Sequence, residues 1–496
     1  MSVAKVIGIE TEYGVHATGA DPDPISASSV LVNSYATTVS QRTAWDFEDE
    51  SPGLDARGMA MLSGLAPMVE THLANTVLTN GARFYVDHAH PEYSSPECRT
   101  PTEAVRYDVA GEHVLRDAMR AALERVPGSA EIIVYKNNSD GKGNSYGCHE
   151  NFLVDRNVPF ADVVRAMVPH LVTRIIYCGA GKVGGETSAF RSSSVGFQVS
   201  QRAEFIEEVI GLETTLKRPI VNTRDEPHGD ARRYRRLHII VGDANLSQVA
   251  TFLKVGTTAL LLGALEDLGV DAFPELPADP VRTIHELSVD LDLTAKFELA
   301  SGRQSSAIDV QTSLYELALR YVEQGGAECV GGDAEAQAVL SRWLVAIEGL
   351  RSDPASLAST VDWIAKRRLV EGFGARHGLD ANDPKLRALD LQYHDLRPER
   401  SLAQRAGLEV LVDEGATRAA VTEPPRDTRA YFRGTCLKRF PDEIVTANWD
   451  SLVFDLGDDP LRRVPMMDPL RGTALHTEEL LARCENAAEL LDELGS

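Results

Sequence analysis

The sequence lacks most of the signals that give a binding protein or an enzyme away by inspection. Its six cysteines (Cys98, Cys148, Cys178, Cys329, Cys436 and Cys484) are scattered, with no Cys-x-x-Cys pair. That argues against a structural zinc site and a disulfide framework, and it fits a reducing, cytoplasmic location. Basic charge is short: 50 Lys and Arg stand against 74 Asp and Glu, a formal charge of −24. A broad footprint for nucleic acid is disfavoured, although a local basic groove is not. The longest apolar run, around Ala259–Ala264, is far too short to span a bilayer. Met1–Lys5 leads straight into a strand-like segment, so neither a leader nor a membrane association is expected. There is no His-Glu-x-x-His pair, and the Gly/Ser-rich stretch 180–194 lacks the Gly-Lys-Ser/Thr of a phosphate loop. What remains is a globular composition, 43% hydrophobic and 25% charged, on 496 residues. That is long enough for a large core and more than one domain.

The informative features are strands with one polar face. In Asn80–Tyr93, Phe84 and Val86 alternate with Arg83, Tyr85 and Asp87. Residues at i, i+2 and i+4 share a face of a strand, so a cation, a phenol and a carboxylate line one side. Pro91 is expected to end regular pairing there, with Glu92 at the strand end. Val6–Val15 places Gly8, Glu10 and Glu12 on one face and Ile7, Ile9, Thr11 and Tyr13 on the other. Two carboxylates about 6–7 Å apart repel by roughly 2–3 kcal/mol at an effective dielectric near 20. A divalent cation offsets this best, and oxygen ligands favour magnesium over zinc. The alternative is a polar face that is simply wet. His149 and Asn151 share another strand face, with the histidine either a ligand or a satisfied structural residue. Arg236 and His238 share a fourth. The stretch Lys217–His238 is markedly basic for so acidic a chain. It reads either as a solvated loop or as a site for phosphates or an acidic partner.

Helices are expected at Val30–Gln41, at Thr102–Val126 with Thr102 as cap and Pro127-Gly128 as stop, and at Pro159–Thr173, Asn245–Leu268 and Val361–Val370. A strand is expected at Trp449–Leu456 and a closing helix from about Thr477 to Leu494. Thr43–Gly64 reads as an insertion, either a lid or a floppy segment. The proline pair within Thr422–Pro425 marks a boundary.

Six stretches resemble the family of Pup ligases and depupylases. They are Ile7–Gly14 (Ile-Gly-Ile-Glu-Thr-Glu-Tyr-Gly), Asn80–Tyr93 (Asn-Gly-Ala-Arg-Phe-Tyr-Val-Asp-His-Ala-His-Pro-Glu-Tyr), Tyr135–Gly143, His149–Phe152 (His-Glu-Asn-Phe), Asn222–His228 (Asn-Thr-Arg-Asp-Glu-Pro-His) and Arg429–Gly434. The resemblance implies an α+β fold: a glutamine synthetase-like antiparallel sheet with helices on its outer face, and a small C-terminal α/β domain. The expected domains are 1–424, with 43–64 as a mobile insertion loop, and 425–496. An insertion before the Asn-Gly-Ala-Arg strand and the run Asp87-His88-Ala89-His90 are features of the depupylase branch. The implied activity is hydrolysis of the side-chain amide of Pup's C-terminal glutamine, and of the isopeptide bond between Pup and substrate lysines. The implied partners are Pup and pupylated proteins, and the implied cofactor is Mg²⁺–ATP, bound rather than consumed. By motif, Asp87 matches the catalytic aspartate. Glu10, Tyr85 and Glu92 match magnesium ligands, with Glu12, His149 and His238 as partners of a second ion. Arg83, Ser95, Trp449 and Arg433 match nucleotide contacts. The alternatives are an ATP-consuming Pup–protein ligase, a non-catalytic Pup- or nucleotide-binding regulator, and a glutamylcysteine-type ligase.

Overall fold

Eight strands form the sheet on which the rest is built, as seen in a computed structural model. It describes residues 2–19, 23–39, 43–48, 50–51, 53–58, 73–125, 130–191, 195–457 and 460–495. The strands are β1 (Ile7–Glu12), β2 (Asn75–Val77), β3 (Arg83–Asp87), β4 (His90–Ser94), β5 (Cys148–Asp155), β6 (Ile206–Gly211), β7 (Arg218–Asn222) and β8 (Tyr234–Ile239). Their order across the sheet is β6-β7-β8-β5-β1-β4-β3-β2. Neighbours run antiparallel except at one edge, where β6 and β7 are parallel. The link 212–217 is just long enough to run back along a short strand at about 3.3 Å per residue. The expected antiparallel sheet is therefore a mixed one, within the α+β class.

The alternation read from the sequence sorts the two faces. Ile7, Ile9, Thr11, Phe84 and Val86 are buried on one. Against that face pack α1 (Pro24–Thr38), α2 (Pro101–Leu123), α3 (Phe160–Thr173) and α4 (Gln248–Leu268). Every residue of α4 from Val249 to Leu265 is buried. Each buried leucine there contributes up to about 1.5–3 kcal/mol. Apolar all round, α4 is the helix at the centre of the core. The opposite face carries Glu10, Glu12, Arg83, Tyr85, Asp87, Glu92, His149, Asn151, Arg236 and His238.

Several local expectations give way to better partners. The cap of α2 is Thr100, whose Oγ1 accepts from Glu103 N at 3.1 Å, and Pro101 takes the first helical position. Thr102 Oγ1 instead donates to Glu335. The expected stop at Pro127-Gly128 lies outside the described residues. Helix α1 starts earlier than read, at Pro24, because Asp23 accepts from Ser26 N. Pro91 does not end pairing: it sits inside β4 opposite Val86. The ladder alternates, and that rung needs no direct bond between its partners, so the missing N–H costs β3 nothing. The closing helix is two, Ala474–Arg483 and Ala487–Gly495, because Asn486 Oδ1 accepts from Glu489 N and starts a new one.

The chain end forms a second sheet of Arg462–Pro465, Ser451–Phe454 and Ile444–Ala447, flanked by α5 (Ala430–Arg439). Its fourth strand is Ala44–Trp45, parallel to Ile444–Ala447. The segment expected as a mobile insertion thus begins as part of this sheet, and Trp45 joins a core with Phe432, Leu452 and Leu490. Residues 59–64 of that segment lie outside the described residues.

A buried ion-pair group ties α2 to the residue that follows Glu131–Tyr135, a strand paired with Gly14–Thr18 outside the main sheet. Lys136 Nζ lies 2.7 Å from Asp108 and 2.9 Å from Glu112 of α2, with 1% of its side chain exposed. Burial alone would lower its pKa, but the two carboxylates hold it well above the ordinary lysine range. Lys136→Met strands a carboxylate in the core, and is expected to destabilise the protein by about 3–5 kcal/mol. Adding Asp108→Asn should recover part of that loss. Urea unfolding of the parent, the single and the double variant checks both expectations.

Candidate active site

Strand register turns the polar residues into rows. Glu12 lies opposite Glu92, which lies opposite Tyr85. In the next row Arg83 faces Ser94, Ser94 faces Glu10, and Glu10 faces His149. Asn151 then sits between Gly8 and His238. Facing pairs on one sheet face hold their Cβ atoms about 4.5–5.5 Å apart, so polar groups from five strands converge.

Two clusters result. In one, ligand atoms of Glu10, His149 and His238 lie within 4.8 Å of one another. Glu10 is held by Asn151 Nδ2 at 2.7 Å, His149 Nδ1 at 3.5 Å and Arg236 Nη1 at 3.6 Å. Burial opposes its charge, yet the hydrogen bond from His149 and the Arg236 guanidinium keep its carboxyl well below the usual range. Burial, with Arg236 beside it, pushes His238 well below the ordinary histidine value. It is therefore a neutral imidazole with a nitrogen lone pair to offer a metal.

The other cluster joins Glu12, Asp87 and Glu92, again within 4.8 Å. The structure thus regroups the expected second-ion set: His149 and His238 go with Glu10, while Glu12 goes with Asp87 and Glu92. Three carboxyls this close cannot all carry full charge cheaply, and their environments separate them. Against burial, His90, His149 and Arg202 hold Glu12 down to about 2, with Gly147 N donating to Oε1 at 2.9 Å. Glu92 is 2% exposed, and burial together with Asp87, Glu10 and Glu12 pushes it well above the carboxylate range. Tyr85 donates its proton to Glu92 Oε1 at 2.6 Å, so it offers an ion only the remaining lone pairs of its hydroxyl. Asp87 has 36% of its side chain exposed, which leaves it open to water and substrate, and it bonds His88 Nδ1 at 2.9 Å. His88 holds φ at 51° in the tight turn between β3 and β4. A non-glycine residue there stores roughly 1–3 kcal/mol of strain, a cost met mainly at functional sites.

The residues expected to touch a nucleotide divide. The Arg83 guanidinium is sandwiched 4.0 Å from the Trp45 ring and 3.9 Å from the Tyr85 ring, and lies 3.6 Å from Glu50. Trp449 packs edge-on against Trp45 with centroids 5.2 Å apart. Ser95 is buried: its hydroxyl accepts from Ile9 N and donates to the Pro96 carbonyl. Arg433 does not reach the cavity. It is fully buried, donates to Glu97, Gly81 O and Trp449 O, and carries the Trp449 ring 5.2 Å above its guanidinium. Its donors are turned to Glu97 and to the carbonyls of Gly81 and Trp449.

Trp449 stands at the junction of two openings. A polar cavity of roughly 390 Å³ holds the carboxylates, Arg83 and His238. A slot lined by Val6, Ile9, Phe152 and Pro469 continues from it past His228. Arg224 and Arg236 line the polar cavity from the basic run, whereas Arg232 and Arg233 form surface pairs with Asp230 and Asp468. The motif Asn222–His228 was the signal for Arg224, which the candidate set above omits. A spacing match also proves empty. Gly143-Asn144-Ser145-Tyr146-Gly147 reads as Gly-x-Ser-x-Gly, but Ser145 is buried with its Oγ taken by Arg202, and it precedes a strand rather than opening a helix.

Comparison with known proteins gives the same picture over the whole length. The family described as Pup-ligase protein matches residues 5–453. A depupylase of Acidothermus cellulolyticus is 49% identical over 99% of this chain and 99% of its own. A Pup–protein ligase of Nakamurella multipartita is 38% identical over 95% and 97%. The crystal structure of Pup in complex with its ligase PafA superposes with a TM-score of 0.79 at 30% identity, covering 99% of this chain and 94% of that one. PafA in complex with ADP gives 0.73 at 34% identity, covering 82% and 89%.

The raised pKa of Glu92 yields a test of the carboxylate cluster. A carboxyl whose folded pKa lies above its unfolded value stabilises the fold below the unfolded value, and that stability is lost as pH rises through the folded one. Glu92→Gln removes the loss and can still accept from Tyr85. The metal-free variant should melt roughly 1–3 °C above the parent at neutral pH, with the difference vanishing near pH 4. Calorimetric titration with Mg²⁺ should show weaker binding to the variant, and proton release on binding to the parent only.

Proposed function

The chain belongs to the Pup-ligase family, and we propose that it works there as a Pup deamidase and depupylase. It hydrolyses the side-chain amide of Pup's C-terminal glutamine and the isopeptide bond joining Pup to substrate lysines. Its partners are Pup and pupylated proteins. The observation that carries this reading is the full-length similarity, higher to the depupylase than to the ligase. Trp45 and Glu50 of the insertion support it, both lying against Arg83.

Asp87 is the residue we assign to the bond cleavage. It is the exposed carboxylate of its cluster, set on a strained turn beside Glu12 and Glu92. Two routes are open to it: attack on the side-chain carbonyl, or activation of the water that attacks. Glu12, held down against burial by His90, His149 and Arg202, and Glu92, pushed up by burial and by Asp87, flank it. The ligand chemistry here suits magnesium: carboxylates dominate, and the proton on Glu92 marks where a cation's charge is wanted. Glu10, Glu12 and Glu92 would hold such ions, with the Tyr85 hydroxyl and the two histidines completing the sets. A bound ion would neutralise the carboxylates and polarise nearby oxygens.

The nucleotide we assign is ATP, held as a cofactor. Trp449 and the apolar slot suit a base, and Arg83, Arg224 and Arg236 suit phosphates. Arg433 positions Trp449 from behind. Ser95 faces the slot chiefly through its backbone, its hydroxyl being engaged within the sheet. We take residues 1–424 as the catalytic domain and 425–496 as the closing one, with 43–64 as an insertion that borrows the closing domain's sheet. A cytoplasmic location fits the six buried free thiols.

Asp87→Asn is expected to lower both deamidation of glutamine-ended Pup and release of Pup from a lysine protein by roughly 10²–10⁴-fold. Nucleotide affinity, followed by fluorescence titration, should stay within a few-fold of the parent. Undiminished turnover would remove Asp87 from its role.

A further inference from the structure

The turn that carries Asp87 has a second side. Asp87 and His88 line the cavity that holds the carboxylates, whereas Ala89 and His90 line a different one, of roughly 840 Å³. Its walls come from the strand Gly14–Thr18, the loop leading to β5, and the helix Pro384–Tyr393. No lining residue is shared by the two cavities, and His90 packs between Glu12 and Tyr146 at their boundary. The His90 ring stacks 4.2 Å from Tyr146, and its Nδ1 lies 3.3 Å from Glu12 Oε2. Gly14 leaves room for this packing, since a Cβ there would come within 2.4 Å of both the Asn137 and the Tyr146 side-chain oxygens.

Building on the depupylase reading, we propose that this second cavity receives the lysine side chain, with its flanking backbone, of the protein from which Pup is removed. Position is the first argument. A hydrolysed isopeptide brings two chains to one carbonyl, and the polar cavity already has the nucleotide and its ions to hold. The leaving amine then departs past His90, on the far side of the turn. Chemistry is the second argument. A lysine has a four-carbon apolar stem and a cationic head. Val15, Ala17, Tyr135 and Tyr146 offer apolar and aromatic surface for the stem, and the exposed Asp140 offers a carboxylate for the amine as it becomes charged, while Glu186 is paired with Lys182 on the same wall. The third argument is the rim, where Asp140, Lys142, Arg387 and Asp390 mix both signs. Such a rim suits target proteins of varied surface better than one fixed partner.

The two reactions of the enzyme separate this subsite from the rest. Deamidation releases ammonia and needs no room for a lysine, whereas depupylation does. Ala388 is exposed on the cavity wall, with Leu391 one turn further along. Ala388→Trp, alone and with Leu391→Trp, is expected to lower kcat/KM for a pupylated protein by about tenfold or more. Deamidation of glutamine-ended Pup should change by less than about twofold, and Ala388→Ser should match the parent in both reactions. An equal fall in both reactions at unchanged melting temperature would make the cavity Pup's own route and overturn the proposal. Depupylation unaffected in the double variant would overturn it as well, by showing that lysine leaves elsewhere. A parent protein with neither activity would instead sink the depupylase reading on which the proposal rests.

Discussion

The mutual repulsion of carboxylates on one sheet face is the constraint that the rest of the site answers. Register alone puts Glu12 opposite Glu92 and brings Asp87 to the same cluster, with Glu10 one row away. Neighbouring groups answer that charge. Glu92 keeps its proton, Tyr85 donates to it, His90 and Gly147 hold Glu12, and Arg236 with His149 holds Glu10. Each device is local, and each weakens when a divalent cation enters. The mutual repulsion of carboxylates placed this close is what a divalent cation would relieve.

The second sheet matters because it completes this face rather than sitting beside it. Ala44–Trp45 pairs into the chain-end sheet, so the insertion and the closing domain share one small core around Trp45, Phe432 and Leu452. From that core come Trp45 over Arg83, and Trp449 over Arg433. Arg433 is in turn fixed by Glu97, whose carboxyl is drawn down to about 2, against its burial, by Arg433 and Arg429. One buried ion-pair group therefore sets where Trp449 stands, and so where the slot meets the polar cavity.

Which residues face the site was legible from the chain, because strand alternation is a local property. Glu10 with Glu12, Arg83 with Tyr85 and Asp87, and Arg236 with His238 each followed from a period of two. Which strand lies beside which was not, because register is set by pairings between segments far apart in sequence. The motif resemblance groups Glu12 with His149 and His238, whereas the pairing of distant strands sets Glu12 beside Asp87 and Glu92 and puts Pro91 on a tolerant rung. The burial of Arg433 was not legible for a related reason: an arginine bonded to ligand and one paired with Glu97 look alike in sequence. Thr100 and Thr102 could equally cap a helix by type, and Pro101 between them decided it.

The account stands or falls on what the site does with nucleotide while it cleaves an amide. The most direct measurement follows ammonia and ADP together as the parent protein turns over glutamine-ended Pup with Mg²⁺–ATP. The account predicts one ammonia for each Pup converted, with no matching accumulation of ADP. ADP formed one for one with Pup joined to a protein lysine, and no ammonia from glutamine-ended Pup, would contradict it.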